Sequence, residues 1–272
     1  MSLIKLLLGI FTNSNMNNLN NIFDLTFIIL VRLDTIERLE NTLVVTDYLT
    51  SVFNSNVLVY ECASCNNGLL EKLLNKKIKF FFKEDNDSIL YRTKFLNQMV
   101  QLAETPFITI WDTDVIAPPV QVVKAVELLR NNEADFVYPY DKYFLDTSPI
   151  LRRMYLQEGK IELLEQNLKK MKEMYPPNPL GGAFIAKLES YKESGLENEN
   201  FYGWGLEDGE RFYRWESLGY KIKRVPGPLF HLSHGRGLNS NFHDVDQHLL
   251  KRKEILNAVR KKALPGNTFR IN

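Results

Sequence analysis

Two aspartates at the end of an apolar segment are the first residues of this chain whose spacing suggests chemistry. Asp112 and Asp114 follow the segment FITIW at residues 107–111, which has the composition of a buried strand. Residues two apart in an extended segment point the same way. Two like charges held close together are unfavourable unless a cation neutralises them. Because Mg²⁺ and Mn²⁺ prefer such oxygen ligands and commonly bridge diphosphates, the pair predicts a divalent-metal site.

The segment GWGLED at residues 203–208 is the second one that suggests chemistry. Two glycines around Trp204 predict a flexible loop with an exposed aromatic ring, which could stack on the apolar face of a sugar. Glu207 and Asp208 follow at the predicted start of a helix, where carboxylates are also typical simple caps. A carboxylate near a sugar hydroxyl could remove its proton during sugar transfer, while a metal stabilises a departing diphosphate.

Strands and helices alternate in the half of the chain that must position the aspartates. Apolar and β-branched runs predict strands, and amphipathic or capped runs predict helices. The predicted strands lie at residues 25–31, 56–60, 78–82, 107–111 and 136–140, and the predicted helices at 35–53, 67–74, 88–104 and 118–130. This order predicts an α/β fold with a mostly parallel central sheet flanked by helices. Ligands bind such sheets at the carboxyl ends of the strands.

The second half has a different pattern and no linker that would force a separate domain. We predict a long charged helix at 151–174, a strand at 180–187, a helix at 207–218, a strand at 221–225 and a basic amphipathic helix at 244–262, with a loop around His231 and His234. Residues 1–21 are expected to form a flexible leader and residues 22–272 one domain. The basic helix is expected to pack on the domain, and docking to an anionic membrane stays open as its alternative.

Composition limits the class of protein. A net charge of +1 over 272 residues excludes the basic excess of a typical nucleic-acid binder. Cys62 and Cys65 are the two cysteines, so a disulfide scaffold is not expected and a reducing compartment fits better. Their CxxC spacing lacks the surrounding pattern of a redox fold and the further ligands of a zinc site. The apolar run at 1–11 is too short to span a bilayer as a helix.

Four segments, taken in order, resemble the GT-A glycosyltransferases, specifically the β-1,4-galactosyltransferase-like branch and the related bacterial capsule and chondroitin polymerases. They are YRTKFLN at 91–97, WDTDVIAP at 111–118, GGAF at 181–184 and GWGLED at 203–208. The last segment is the most specific and the aspartate motif the least. The resemblance implies a single GT-A domain, with a nucleotide-sugar-binding half at 22–117, an acceptor and catalytic half at 118–243, and a C-terminal helix and tail at 244–272.

The resemblance also implies roles for individual residues. Asp208 would be the general base, and Glu207 and Trp204 would bind the acceptor together with it. Asp112 and Asp114 would hold the metal, with a histidine as a further ligand; His234, followed by Gly-Arg, fits the family better, and His231 stays open. The donor would contact Arg32, Glu61, Arg92, Asn97, Asp112, Gly181 and Gly182.

The resulting hypothesis is an inverting glycosyltransferase that uses Mn²⁺ or Mg²⁺. It would move a hexose or N-acetylhexosamine from a UDP-sugar to a saccharide or glycolipid acceptor, in surface polysaccharide or glycoconjugate synthesis. No nucleic-acid partner is expected, and the expected location is the cytoplasm, with peripheral contact at the inner membrane face left open. Two alternatives remain: a haloacid-dehalogenase-like phosphotransferase with Asp112 as nucleophile, and a non-catalytic nucleotide-sugar-binding homologue.

Overall fold

The computed structural model describes residues 20–235, 237, 239 and 245–262. Strands alternate with helices through the first half, as the sequence predicts. The strands are β1 (Asn20–Val31), β2 (Phe53–Ala63), β3 (Lys79–Glu84), β4 (Phe107–Trp111), β5 (Val115–Ile116), β6 (Phe136–Tyr138), β7 (Phe144–Asp146), β8 (Lys172–Glu173), β9 (Ala183–Lys187), β10 (Ile222–Arg224) and β11 (Leu229–His231).

The helices flank these strands. They are α1 (Ile36–Val52), α2 (Leu69–Leu73), α3 (Arg92–Val100), α4 (Pro119–Arg130), α5 (Pro149–Glu158), α6 (Ile161–Glu165), α7 (Leu188–Glu193), α8 (Glu207–Ser217) and α9 (Val245–Lys262), with a 3₁₀ turn at Leu168–Lys170. Local chemistry sets several starts. Thr35 and Ser148 accept the capping hydrogen bonds of α1 and α5, and a proline opens both α4 and α5.

A seven-stranded sheet in the order β10-β6-β9-β4-β1-β2-β3 forms the centre of the molecule. Its neighbours pair in parallel except β9, which runs antiparallel to both β4 and β6. The interior strand β1 is buried on both faces from Thr26 to Val31 because helices cover the sheet, which explains its continuous apolar run. The expected α/β fold with a mostly parallel sheet is confirmed.

A smaller sheet in the order β5-β11-β7-β8 lies beyond the aspartate motif. β11 pairs antiparallel with β5 and parallel with β7. These strands have two or three residues each, too few to give a periodic signal in sequence. The segment around His231 was expected to be a loop, but β11 extends through His231.

Two other expectations about elements are wrong. The single helix expected at 151–174 is broken into α5, α6, a 3₁₀ turn and β8, because Gly159 ends α5 in a left-handed conformation with φ 64°. The helix expected from residue 88 begins only at Arg92.

The expected leader also ends earlier than residue 21. Asn20 and Asn21 belong to β1, where they pair with Phe53 and Asn54 of β2. The remainder of that leader, residues 1–19, lies outside the described part of the chain. Among the described helices, none is both long and apolar enough to cross a membrane.

Candidate active site

Asp114, His231 and His234 form a cluster at the edge of the small sheet. The Nε2 atoms of His234 and His231 lie 3.0 and 3.9 Å from Oδ2 of Asp114. One ligand atom from each of the three residues lies within 4.8 Å of the others. One carboxylate and two imidazoles are a donor set for a divalent transition metal, so the cluster fits a metal site. Both candidate histidines are brought to it.

Backbone pairing places the three side chains. Asp114 immediately precedes β5, and His231 pairs with Val115 across the β5–β11 ladder. The amide of Leu232 donates to the carbonyl of Asp114 at 2.7 Å. The indole of Trp111, buried at the end of β4, donates to the carbonyl of Val115 at 3.0 Å and so closes the turn between them.

Asp146 orients one of the histidines from the neighbouring strand. Its Oδ1 lies 2.8 Å from Nδ1 of His231, because the two residues are paired in the β7–β11 register. With Nδ1–H donating to Asp146, Nε2 of His231 is left facing Asp114. Asp114 and Asp146 also raise the pKa of His231, against the effect of its burial.

Charge on the histidines also acts on Asp114. Burial alone would raise the pKa of this carboxyl, but His231 and His234 hold it well below its usual range. Asp114 is therefore ionised across the neutral range and is a ready ligand for a cation.

Asp112 has a different partner. Its Oδ1 lies 2.5 Å from Nη2 of Arg92, the first residue of α3. Residues 113 and 114 form a turn instead of extending the strand, so the two carboxylates do not share one set of partners. Burial raises the pKa of Asp112, Asp114 acts in the same direction, and Arg92 opposes both. The structure thus groups Asp114, and not Asp112, with the histidines.

Arg92 connects the aspartate motif to the GWGLED segment. While one nitrogen contacts Asp112, Nε lies 4.0 Å from Oε1 of Glu207. Burial would lower the pKa of Arg92, but Asp112 and Glu207 together raise it above its usual range. The guanidinium is therefore a fixed positive charge between the two motifs, as expected of a donor-phosphate contact.

Glu207 is a buried carboxyl of the site with a raised pKa. Its side chain is 8% exposed, and its Oε2 is buried without a hydrogen-bond partner. Burial raises the pKa of Glu207 to about 7, and the adjacent Asp208 acts in the same direction. A buried oxygen without a partner is available to a ligand hydroxyl.

Asp208 is more accessible than Glu207 and is held from one side. Arg211 lies one turn later on α8 and pairs with Oδ1 of Asp208. Arg211 also donates to both carboxylate oxygens of the buried Glu197, each at 2.9 Å, and its guanidinium stacks on Phe184 at 4.4 Å. Oδ1 of Asp208 is thus engaged, while its other oxygen, Oδ2, lies beside Gly181, and 34% of the side chain is exposed.

The two glycines expected at the donor site, Gly181 and Gly182, lie beside Asp208 and Leu229 respectively. A Cβ at Gly181 would come within 2.8 Å of Oδ2 of Asp208. Gly182 has φ 85°, and a Cβ there would meet Leu229 at 2.7 Å. The carbonyl of Gly182 also accepts the amide of Asp112 at 2.9 Å. The pair therefore joins the aspartate motif to Asp208: a side chain at Gly181 would displace the Asp208 carboxylate, and one at Gly182 would be strained and would clash with Leu229.

Trp204 lies in the loop before α8 and is half-buried. Three residues of this loop, at 203, 205 and 206, have positive φ values of 70°, 99° and 73°. The carbonyl of Trp204 accepts Nζ of Lys251 on α9 at 2.9 Å. The loop is thus fixed in place by the C-terminal helix.

Three further expected donor residues, Arg32, Glu61 and Asn97, lie in the first half of the chain, and Arg32 and Asn97 have protein partners. Arg32 donates to the carbonyls of Cys62 and Asp87 and pairs with Asp85, so it connects the end of β2 with the loops after β1 and β3. Glu61 is buried on β2, and burial raises its pKa.

Asn97 differs most from expectation. Its amide donates to the carbonyl of Glu197 at 3.0 Å and to the side chain of Glu199 at 2.9 Å, and its oxygen accepts the amide of Glu197 at 2.8 Å. All of its polar atoms hold the segment before GWGLED against α3. The structure therefore shows Asn97 as a support of that segment, and its contact with the donor stays a prediction.

The sequence did not identify Asp146, Glu197 and Arg211. Arg211 could have been found, because an arginine three residues after Asp208 on a helix is placed to pair with it. Asp146 and Glu197 depend on the pairing of short strands and loops, for which no sequence signal exists.

Comparison with known proteins agrees with this geometry. A family model described as the N-terminal domain of galactosyltransferase matches residues 161–235, a segment that contains the glycine pair, GWGLED and both histidines. The catalytic domain of Drosophila β1,4-galactosyltransferase 7, solved in complex with xylobiose, matches with a TM-score of 0.52 and 17% identity, over 85% of this chain and 79% of that chain. No curated protein sequence matches this chain.

The two matches are independent, one being a sequence pattern in the second half and the other the fold of most of the chain. The family-model match includes His231, His234 and the carboxylate pair Glu207 and Asp208. Residues 161–235 are therefore similar to galactosyltransferases in sequence, and the chain has the GT-A fold of a galactosyltransferase catalytic domain.

Proposed function

We propose that this protein transfers a hexose or N-acetylhexosamine from a UDP-sugar to a saccharide hydroxyl, with inversion and with a divalent metal. The observation that carries the proposal is Arg92, which contacts Asp112 and lies 4.0 Å from Glu207. It joins the metal-binding end and the carboxylate end into one site. A diphosphate leaving group and a nucleophile must be held side by side in this reaction.

The donor set favours Mn²⁺ over Mg²⁺. Asp114, His231 and His234 offer two nitrogen atoms and one carboxylate, and Mg²⁺ prefers oxygen ligands almost exclusively. When bound, the metal stabilises the negative charge that develops on the diphosphate. Arg92 adds a fixed positive charge on the same side of the site.

Asp208 acts as the general base. Its Oδ2 takes the proton of the acceptor hydroxyl as the acceptor oxygen bonds to the anomeric carbon. The bond from that carbon to the diphosphate breaks, and its electron pair leaves with UDP. Arg211 fixes the carboxylate, and Glu207, with one buried oxygen free, binds an acceptor hydroxyl. Trp204 supplies the stacking surface for the acceptor ring.

The choice of donor begins with UDP-galactose. Both the family model and the similar solved structure are named as galactosyltransferases. The acceptor is a saccharide, and the solved relative was determined with the disaccharide xylobiose bound. UDP-glucose, UDP-N-acetylgalactosamine and UDP-glucuronic acid form the comparison set.

The decisive experiment is isothermal titration of UDP into the protein with Mn²⁺ and with chelator, repeated on Asp114→Ala. Binding that requires Mn²⁺ and disappears in Asp114→Ala is the expected result. Thr113→Ala, a neighbouring change that keeps all three ligands, serves as the matched control and should bind UDP as the natural chain does.

Absence of UDP binding in both conditions would remove the proposal. A phosphotransferase with Asp112 as nucleophile would then be tested with simple phosphate esters. The structure does not favour that reaction, because the Asp112 carboxylate is engaged by Arg92 and its pKa is raised. Donor binding without turnover would identify a non-catalytic homologue.

A further inference from the structure

α9 packs on the protein through one face and leaves the other exposed. Lys251 and Ala258 are buried on the inner face, at 2% and 4% exposure, and Ile255 lies over Gly209 of α8. The outer face carries large apolar side chains, Leu249, Leu250, Leu256 and Val259, with exposures of 56%, 51%, 54% and 39%. These four residues lie on the outward-facing half of the helix and form an apolar strip that Arg252 and Lys253 interrupt between Leu249 and Leu256.

Basic side chains border this strip. Arg252, Lys253 and Arg260 are exposed on the same outer face. None of the three has a carboxylate partner among the described residues. The one glutamate of the helix, Glu254, turns inward and accepts Nδ2 of Asn198 at 2.9 Å. An exposed helix face that is both apolar and cationic is the composition of helices that lie in a membrane interface.

We propose that the outer face of α9 binds the surface of an anionic lipid bilayer. The leucines and the valine would enter the head-group region, and the arginines and the lysine would pair with lipid phosphates. Each contribution is modest alone, but apolar burial and electrostatic attraction add along a helix of 18 residues.

A bilayer fits this face better than a second copy of the chain. Self-association through α9 would bring the three cations of one copy against the three of the other, with Asp246 as the one exposed carboxylate among the described residues of that face. The net charge of the whole chain is only +1, so attraction to an anionic surface would come from this face and not from the molecule at large.

Docking in this way would also position the acceptor loop. Lys251, on the inner face, donates to the carbonyl of Trp204 at 2.9 Å, so α9 is attached directly to the loop. The helix is about 10 Å across. The loop would therefore sit close above the head groups, where a saccharide attached to a bilayer lipid presents its sugars. This last step, from membrane to acceptor class, rests on the proposed function.

The test is flotation of the full chain with vesicles, without donor or acceptor, so that it does not depend on catalysis. Vesicles of phosphatidylcholine alone are compared with vesicles that also contain phosphatidylglycerol. Binding to the anionic vesicles that weakens with added salt is the expected result. Arg252→Glu with Lys253→Glu should bind about 30-fold more weakly. Leu249→Ser with Leu256→Ser should lose at least about tenfold.

Matched controls lie on other faces of the molecule. Lys76→Glu with Lys77→Glu makes the same change of net charge at exposed lysines away from α9. Val120→Ser with Ile150→Ser removes side chains that are 72% and 75% exposed on α4 and α5. Both controls should bind vesicles as the natural chain does. All variants contain residues 1–19, so any contribution of the apolar run at 1–11 to vesicle binding is the same in each of them.

Equal binding to neutral and anionic vesicles, or equal loss in the control pairs, would overturn the proposal. A change from dimer to monomer in the leucine variant, measured without lipid, would instead identify α9 as a face between two copies. Metal-dependent UDP binding, measured on the same variants, should be unchanged. A failure of vesicle binding is therefore distinguishable from a failure of the proposed function.

Discussion

At the scale of single residues, the site depends on the absence of a Cβ atom at Gly181. Gly181 leaves open the space that Oδ2 of Asp208 occupies, and a methyl group there would come within 2.8 Å of that oxygen. Gly181→Ala should displace the base and lower kcat about 100-fold, because small displacements of a positioned group have effects of this size. Steady-state kinetics with UDP-galactose would measure it, and UDP binding should persist.

Gly209→Ala is the matched control for that substitution. A Cβ at Gly209 meets Ile255 at 3.8 Å, which is ordinary contact, and the residue lies in α8 without a positive φ. Its kcat should be unchanged. Equal loss in both variants would mean that Gly181 serves stability alone.

Glu207 should make the stability of the protein depend on pH. Burial raises the pKa of Glu207 from 4.5 to about 7. Between pH 4.5 and about 7, the folded chain therefore keeps a proton that the unfolded chain has lost. The free energy of unfolding therefore falls as pH rises from about 4.5 to about 7. Glu207→Gln, which is neutral throughout, should be roughly 1–3 kcal/mol more stable than the natural chain at pH 8. Urea unfolding at pH 5 and pH 8 measures this, and parallel profiles would contradict it.

At the scale of elements, the register of β11 on β7 sets the geometry of the histidines. Asp146 faces His231 in that register at 2.8 Å. Asp146→Ala should weaken Mn²⁺ binding about 10–100-fold, as loss of a carboxylate behind a ligand histidine does. Titration of Mn²⁺ followed by electron paramagnetic resonance gives the affinity without turnover. Asp141→Ala, in the connection before β7, should bind Mn²⁺ normally.

A buried network supports the same segment from behind. Arg152 of α5 donates to Asn41 at 2.9 Å and to Glu40 at 2.7 Å, and Asn41 donates to the carbonyl of Leu232 at 2.8 Å. Arg152→Met would leave Glu40 buried without its main partner. The free energy of unfolding should fall by about 3–5 kcal/mol.

The comparison for that network is an exposed ion pair. Lys124, 56% exposed, pairs with Glu127 at 3.3 Å on α4. Lys124→Met should change the free energy of unfolding by less than about 1 kcal/mol. Chemical denaturation of both variants would show the contrast, and a small effect at Arg152 would argue that water replaces the arginine.

The elements differ in how far the sequence predicts them. The first four strands have five or more residues and apolar runs, so their periodicity shows through. The helix expected at 151–174 is wrong because charged residues with good helix propensity continue past Gly159, while tertiary pairing draws the end of the segment into β8. Strands as short as β5, β7 and β11 are fixed by pairing alone.

At the scale of the whole molecule, the metal cluster joins distant parts of the chain. Asp114 follows a strand of the large sheet, and His231 and His234 come more than a hundred residues later. A metal bound there favours the folded state by mass action. Mn²⁺ at 100 times its Kd should stabilise the protein by about 2.7 kcal/mol and raise Tm. Differential scanning fluorimetry should show this shift in the natural chain and not in Asp114→Ala.

The candidate site was predictable where one segment carries its own chemistry. Asp112, Asp114, Glu207 and Asp208 stand in short motifs, and the structure brings them to one place. The partner that each of these side chains contacts could not be predicted from the sequence. Arg92 takes Asp112, and Asp146 directs His231, through contacts between segments that are far apart in sequence.

The reversed strand β9 has a consequence for how such a protein can change over time. Trp111 pairs with Ala183, and the carbonyl of Gly182 accepts the amide of Asp112 at 2.9 Å. A one-residue insertion or deletion in either strand would shift every later pair and turn inward-facing side chains outward. The segments that carry the aspartate motif and the glycine pair must therefore keep matching lengths. In related sequences, insertions or deletions in the two segments should occur together.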